Sequence, residues 1–194
     1  MRIGIFGGSF NPPHKTHLRI ALDLINKNYI DKVIFVPTGS KYKYKNNLVS
    51  DHDRLNMIKL LIKNHNNILV SDFELQEKEV YTYETLKYFK DKYSGDEIYF
   101  ICGLDNLSYI DKWKNSDELL RNNKFLVIKR NGDNEKVILD RLNDYKDNIF
   151  ITDVIPSDVS STMIRNRILN NEDVLEFIDN EVLEYIKDNN LYEV

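Results

Sequence analysis

Gly7-Gly8-Ser9-Phe10-Asn11-Pro12-Pro13-His14-Lys15-Thr16-His17 joins two kinds of pattern. Arg2–Phe6 before it is a short apolar run that reads as a first strand. After it Leu18, Ala21, Leu22 and Ile25 recur at helical spacing, which predicts a helix over about 14–27. A strand that breaks on Gly-Gly and leads into a helix is the opening of an α/β unit. Gly7 and Gly8 let the backbone pass close to a ligand with no Cβ in the way. Pro13 suits the approach to a helix, whose first N–H groups lack intrahelical partners and attract anions. His14 and His17 are three apart and share a face. That face leads into the Leu18, Ala21, Leu22 stripe, so both imidazoles are expected to point inward at the carboxyl edge of a sheet. The polyphosphate of ATP fits such a site, with imidazole N–H groups supplementing the backbone.

Plainer readings of the same residues are a capping pair of histidines or the start of a zinc centre. No third metal ligand stands nearby, and His52 and His65 belong to another helix or its end. The loop lacks the Gly-Lys-Ser/Thr ending of a P-loop and the Gly-x-Gly-x-x-Gly of a dinucleotide fingerprint.

Outward from this loop the alternation continues. Strands are expected at Lys32–Val36, Ile68–Ser71, Glu97–Cys102, Lys124–Lys129 and Ile149–Ile151. Helices are expected at Asp51–Asn64, with Ser50 or Asp51 as N-cap, then Thr82–Tyr93, Asp117–Arg121 and Glu135–Tyr145, and finally over about 162–170 and 179–189. This implies an α/β fold: a parallel sheet with helices on both faces. Ligands bind such sheets beyond the carboxyl ends of the strands, where strand order reverses. Pro37-Thr38-Gly39 closes the second strand as a turn, and Glu97–Cys102 is apolar enough to be covered on both faces.

Composition sets the outer limits. The 194 residues suffice for a single domain over 1–194, and 42% hydrophobic with 30% charged residues can support a core. A net charge of −4 gives no general reason to expect nucleic acid or membrane as partner. An anionic ligand then requires local clusters of His, Lys and Arg. Cys102, the one cysteine, excludes a disulfide framework and reads as a buried thiol. With no leader-like or membrane-length apolar segment, a cytoplasmic protein is expected.

Late in the chain, Val159-Ser160-Ser161-Thr162-Met163-Ile164-Arg165 reads as a cluster of N-cap residues opening a helix. Arg165 and Arg167 are placed in its first two turns, where cations oppose the helix dipole unless an anion binds there. Taken alone, Arg165 could equally be a solvated surface residue.

Together the two stretches resemble the HxGH nucleotidyltransferase family, whose signatures are Gly-Ser-Phe-Asn-Pro-Pro-His-x-x-His and Ser-Ser-Thr-x-Ile-Arg. Within it the chain looks most like the bacterial nicotinate-nucleotide adenylyltransferases. The resemblance implies a Rossmann-like fold and adenylyl transfer from ATP, accompanied by Mg²⁺, to a small phosphorylated metabolite, nicotinate mononucleotide. It implies that Gly7, Gly8, Ser9, Phe10, His14 and His17 bind ATP, and that Ser161, Thr162 and Arg165 hold its β- and γ-phosphates. His14, His17 and Arg165 become the candidate catalytic groups. Gly103 and Asp105 match a Gly-x-Asp that contacts nucleotide, although Asp105 read locally is as well explained as a helix N-cap. On the acceptor side the resemblance places Asn11, Tyr81, Thr82 and Thr85, with Trp113 stacking on the pyridine ring; a lone Trp is otherwise most simply a core residue.

Three departures from the family pattern stand out. Thr16 occupies a glycine position, Val80 and Glu84 replace a Ser and an Asp, and Lys41-Tyr42-Lys43-Tyr44-Lys45 replaces Pro-Pro-His-Lys. The lysines Lys41, Lys43 and Lys45 read either as a cationic lid over polyphosphate or as a solvated loop. They leave nicotinamide mononucleotide or 4′-phosphopantetheine as alternative acceptors, and a regulatory nucleotide-binding protein without turnover as an alternative class. Oligomeric state is open.

Overall fold

The computed structural model describes residues 1–43, 47–129 and 135–192. Among them six parallel strands form one sheet in the order β3-β2-β1-β4-β5-β6. They are β1 (Arg2–Gly8), β2 (Lys32–Pro37), β3 (Ile68–Val70), β4 (Glu97–Gly103), β5 (Lys124–Ile128) and β6 (Ile149–Ile151). The helices are α1 (Lys15–Asn26), α2 (Asp51–Ile62), α3 (Thr82–Lys92), α4 (Leu104–Leu107), α5 (Ser116–Asn122), α6 (Glu135–Arg141), α7 (Ser161–Leu169) and α8 (Asn180–Asp188).

Strand periodicity of two builds a core on each side of the sheet. In β2, Val33 and Phe35 join one cluster while Ile34 and Val36 join the other. In β4, Ile101 faces the first cluster, and Ile98, Phe100 and Cys102 face the second. Helices α1, α2, α7 and α8 cover the first through Leu24, Met57, Ile164 and Val182. Helices α3, α4 and α5 cover the second through Phe89, Leu107 and Leu119. The near-continuous apolar runs in β2 and β4 follow from this double coverage. The fold is Rossmann-like, as expected.

Strand order reverses between β1 and β4, which pair from Arg2↔Glu97 to Phe6↔Ile101. Both strands end on glycine, Gly8 and Gly103, at this switch point.

Some elements differ from expectation. The helix expected over Glu135–Tyr145 stops at Arg141, and a 3₁₀ turn covers Asn143–Asn148. Asn143 and Asp144 are residues whose short side chains compete with a helical backbone. Arg141 meanwhile turns away to donate to the carbonyls of Leu107 and Ser108 at 2.6 and 2.8 Å. Asp105 is not an N-cap: Gly103 caps α4, and Asp105 sits exposed in its first turn. A Cβ at Gly103 would stand 2.1 Å from the Asp105 carboxylate, which folds back over that glycine.

Candidate active site

Helix α1 starts at the carboxyl end of β1 with His14 as its N-cap. The two imidazoles lie together, centroids 3.7 Å apart and planes inclined by 30°. His14 is buried and His17 half-buried. The backbone N–H of His14 donates to Nδ1 of His17 at 3.2 Å. Because Nδ1 accepts, the neutral His17 ring carries its proton on Nε2, which is therefore a donor. Phe6 and Phe10 meet the His17 ring edge-on at 6.1 and 5.0 Å and hold it in place.

Phe10 has φ of 46°, a left-handed conformation that costs a bulky residue on the order of 1–3 kcal/mol. Its ring lies over Gly8, where a Cβ would come within 2.9 Å. Gly8 thus makes room for the loop's own aromatic ring, a demand the sequence did not reveal.

Helix α7 docks on this loop. Ser160 caps it by accepting from the Met163 N–H at 3.2 Å. Ser161 Oγ donates to the Pro12 carbonyl at 2.8 Å, and Arg165 Nη1 donates to the Asn11 carbonyl at 2.8 Å. Arg165 Nη2 also reaches Thr162 Oγ1 at 3.1 Å. Segments about 150 residues apart are thereby brought to one corner, where the N-termini of α1 and α7 add positive potential. Arg167 lies in the second turn as expected, but its relation to the helix dipole is the reverse of that expected. In this nine-residue helix it falls in the last turn, where a cation favours the dipole, and it pairs with Glu172 at 3.6 Å.

Behind the loop stands Arg54, a fully buried guanidinium. It donates to the carbonyls of Ser9 and Val49 at 2.9 and 3.3 Å and pairs with Asp51. Burial pulls its pKa down and Asp51 opposes that shift. Sequence reading passed over this residue. The available signal was its spacing from Met57, Ile58 and Leu61, which puts a charge on the apolar stripe of α2. Asn11, expected on the acceptor side, spends its buried side chain on tying the loop to distant segments of the chain. Its Oδ1 accepts from the Val49 N–H and the Tyr192 hydroxyl at 3.2 and 2.8 Å, and its Nδ2 donates to the Asn47 carbonyl at 3.0 Å.

The opposite rim gathers Tyr81, Thr82 and Trp113. Tyr81 is the N-cap of α3 and Thr82 its first residue. Lys114 Nζ lies 4.4 Å from the Tyr81 ring centroid, and Tyr42 meets that ring edge-on at 5.9 Å. Trp113 packs edge-on against Phe100 at 6.1 Å, and Phe100 lies beside Gly7. Thr85 is buried, and its hydroxyl donates to Glu74 at 2.6 Å instead of facing open space. Burial pushes the Glu74 carboxyl up to about 7, against the opposing hydrogen bond from Thr85 and the charge of Arg54.

Lys41 is exposed and pairs with Glu77 at 3.3 Å, while the Lys43 N–H donates to Glu79 at 3.1 Å. Lys45 lies outside the described residues. Burial raises the Cys102 thiol far above neutrality, so it is no nucleophile. Among the described residues no group of three or more His, Cys, Asp or Glu side chains could hold a metal ion. Nor is any helix among them long and apolar enough to cross a membrane.

A cytidylyltransferase-like family model matches residues 5–167. The chain belongs to the cytidylyltransferase-like family. A Clostridium acetobutylicum protein named "Probable nicotinate-nucleotide adenylyltransferase" is 38% identical, the match covering 97% of each chain. A Clostridium botulinum protein of the same name is 37% identical, again over 97% of each. The solved structure of Plasmodium falciparum nicotinic acid mononucleotide adenylyltransferase complexed with NaAD superposes with a TM-score of 0.82. It covers 98% of this chain and 97% of its own at 24% identity, a likeness of fold.

Proposed function

We infer that the protein, acting as one nucleotidyltransferase domain over residues 1–194, transfers an adenylyl group from ATP to nicotinate mononucleotide. The products are deamido-NAD and pyrophosphate. The names of the full-length relatives support the acceptor. The observation that carries the chemistry is the docking of Ser161 and Arg165 onto the Pro12 and Asn11 carbonyls beside the paired histidines.

In this reaction an acceptor phosphate oxygen attacks the α-phosphorus in line, the bond to the β-phosphate bridging oxygen breaks, and pyrophosphate leaves with the electron pair. A phosphate monoester has its second pKa near 6 and is already largely dianionic at neutral pH, so no general base is needed. Positioning and charge stabilisation remain. His17, a donor through Nε2, acts on the α-phosphoryl oxygens, and His14 helps place the phosphates. Ser161, Thr162 and Arg165 hold the β- and γ-phosphates at the start of α7. Gly7, Gly8, Ser9 and Phe10 form the nucleotide floor, with Gly103 and Asp105 on its other side. Tyr81, Thr82 and Trp113 frame the pyridine, while Asn11 and Thr85 act by shaping the loop and the α3 start. Mg²⁺ would enter as the ATP complex, held by phosphate oxygens and water. Work in the cytoplasm is part of the same reading, since its substrates are metabolites of the cell interior.

Pyrophosphate release from ATP-Mg²⁺ over a panel of acceptors tests the proposal. Release with nicotinate mononucleotide and not with nicotinamide mononucleotide or 4′-phosphopantetheine is expected. Preference for another acceptor would replace the substrate, and no release with any would favour a regulatory protein.

A further inference from the structure

Residues 152–160 connect β6 to α7 without helix or strand, and they run along α1. At the far end Lys27 pairs with Asp153 at 2.8 Å, and Tyr29 donates to the same carboxylate at 3.0 Å. Nearer the site Arg19 reaches the Ile155 carbonyl at 3.4 Å. Nearest of all, Thr16 Oγ1 and Ser157 Oγ stand 2.5 Å apart, across 141 positions of sequence. The series ends where Ser161 meets the Pro12 carbonyl.

These tethers are unequal. Lys27, Arg19, Asp153 and Ile155 are exposed, so water and salt weaken what they hold. Thr16 is only 8% exposed. A helical threonine commonly turns its hydroxyl onto a carbonyl of its own preceding turn, yet this one is spent on a distant chain segment. It stands between His14 and His17 in sequence, and its partner stands four residues before Ser161. Among the described residues no other hydrogen bond ties the connecting segment to α1 so close to both groups.

We propose that the Thr16–Ser157 hydroxyl pair is a latch that sets the height of the α7 N-terminus over the first loop, which makes Thr16 a positioning residue for ATP. It rests on the adenylyl-transfer reading above. Ser161, Thr162 and Arg165 follow Ser157 by at most eight residues, so displacement of that segment moves the phosphate-holding groups relative to the imidazoles. The acceptor rim at Tyr81 and Trp113 belongs to other elements and should not feel the change. Thr16 thereby serves at a position where the resembling signature has no side chain at all.

The test uses the full chain and compares Thr16→Val, which keeps the shape, Thr16→Ser, which keeps the hydroxyl, and Ser157→Ala. Loss of one hydrogen bond should raise KM for ATP by about 3- to 10-fold in Thr16→Val and Ser157→Ala. KM for the acceptor should stay within about twofold, and the double variant should lose no more than either single one. Thr16→Ser should behave as wild type. Circular dichroism and thermal unfolding check the fold, and Ser157→Ala, at the less buried partner, gives the answer if Thr16→Val does not fold. An unchanged KM for ATP, a Thr16→Ser that fails like Thr16→Val, additive losses, or a fall in kcat with both KM values intact would each overturn the latch. If the wild-type protein releases no pyrophosphate, the underlying reading fails instead. The latch is then judged by calorimetric ATP affinity, and equal Kd for wild type and Thr16→Val overturns it.

Discussion

The corner where the first loop meets α7 and the rim formed by residues 41–43, 81–85 and 113–114 are held by different means. In the corner, backbone carbonyls are gripped by side chains from remote elements: Arg54 on Ser9, Arg165 on Asn11 and Ser161 on Pro12. On the rim, the Lys41–Glu77 pair joins side chains that are 51% and 95% exposed, and Tyr81 is held by bonds to its sequence neighbours Glu79 and Glu84. The groups assigned to the reacting phosphates are therefore fixed before substrate arrives, which is where preorganisation gives most rate. Of the groups assigned to the acceptor, Tyr81, Thr82 and Trp113 are half-buried, whereas Thr85 is buried against Glu74.

The largest effect comes from the corner. His17→Ala should lower kcat by about 10²- to 10³-fold with little change in KM for ATP. Equal losses in kcat and ATP affinity would make the imidazole a binding group only. Next, Arg54→Met strands the Ser9 and Val49 carbonyls and the Asp51 carboxylate, and should destabilise the fold by about 3 kcal/mol in urea denaturation. A loss near zero would mean that the corner is held without it.

Glu74 tests the boundary between the two regions. Its folded pKa of about 7 lies above the ordinary glutamate value of 4.5, so folding favours the protonated acid. The stability it contributes is complete below about pH 4.5 and is lost as pH rises through 7. Wild type relative to Glu74→Gln should therefore lose about 2–3 kcal/mol between pH 5 and pH 8 in urea titrations. A difference that does not change with pH would show that Glu74 is not the group responsible. The smallest effect belongs to the rim. Lys41→Ala should leave the unfolding midpoint unchanged and move KM for ATP by less than about twofold. A larger rise would reveal the lysines as a lid that closes on polyphosphate.

Local chemistry made much of this corner readable. Gly-Gly after an apolar run, Pro-Pro before a helix, two histidines three apart and a Ser-Ser-Thr cap are short-range signals, and each fell where the folded chain uses it. Strand positions were readable for a similar reason, since double coverage leaves runs such as Val33–Val36 wholly apolar. Long-range contacts were not. Arg54 stands on the apolar stripe of α2, but nothing local shows that the Ser9 carbonyl, 45 residues away, is its partner. Asn11 reads as a polar loop residue facing a ligand until Val49, Asn47 and Tyr192 arrive from elsewhere to use its amide. The sign of the dipole at Arg167 was not readable, because α7 is so short that its second turn is already its last.

The sheet finishes at both sides in strands only three residues long, β3 and β6. Each carries one outward apolar side chain, Leu69 and Phe150, yet offers little backbone for a neighbouring molecule to pair with. Recruitment of further chains into a growing ribbon is thus cut off at its first step, and a crowded solution of this protein should resist fibre formation through its sheet margins.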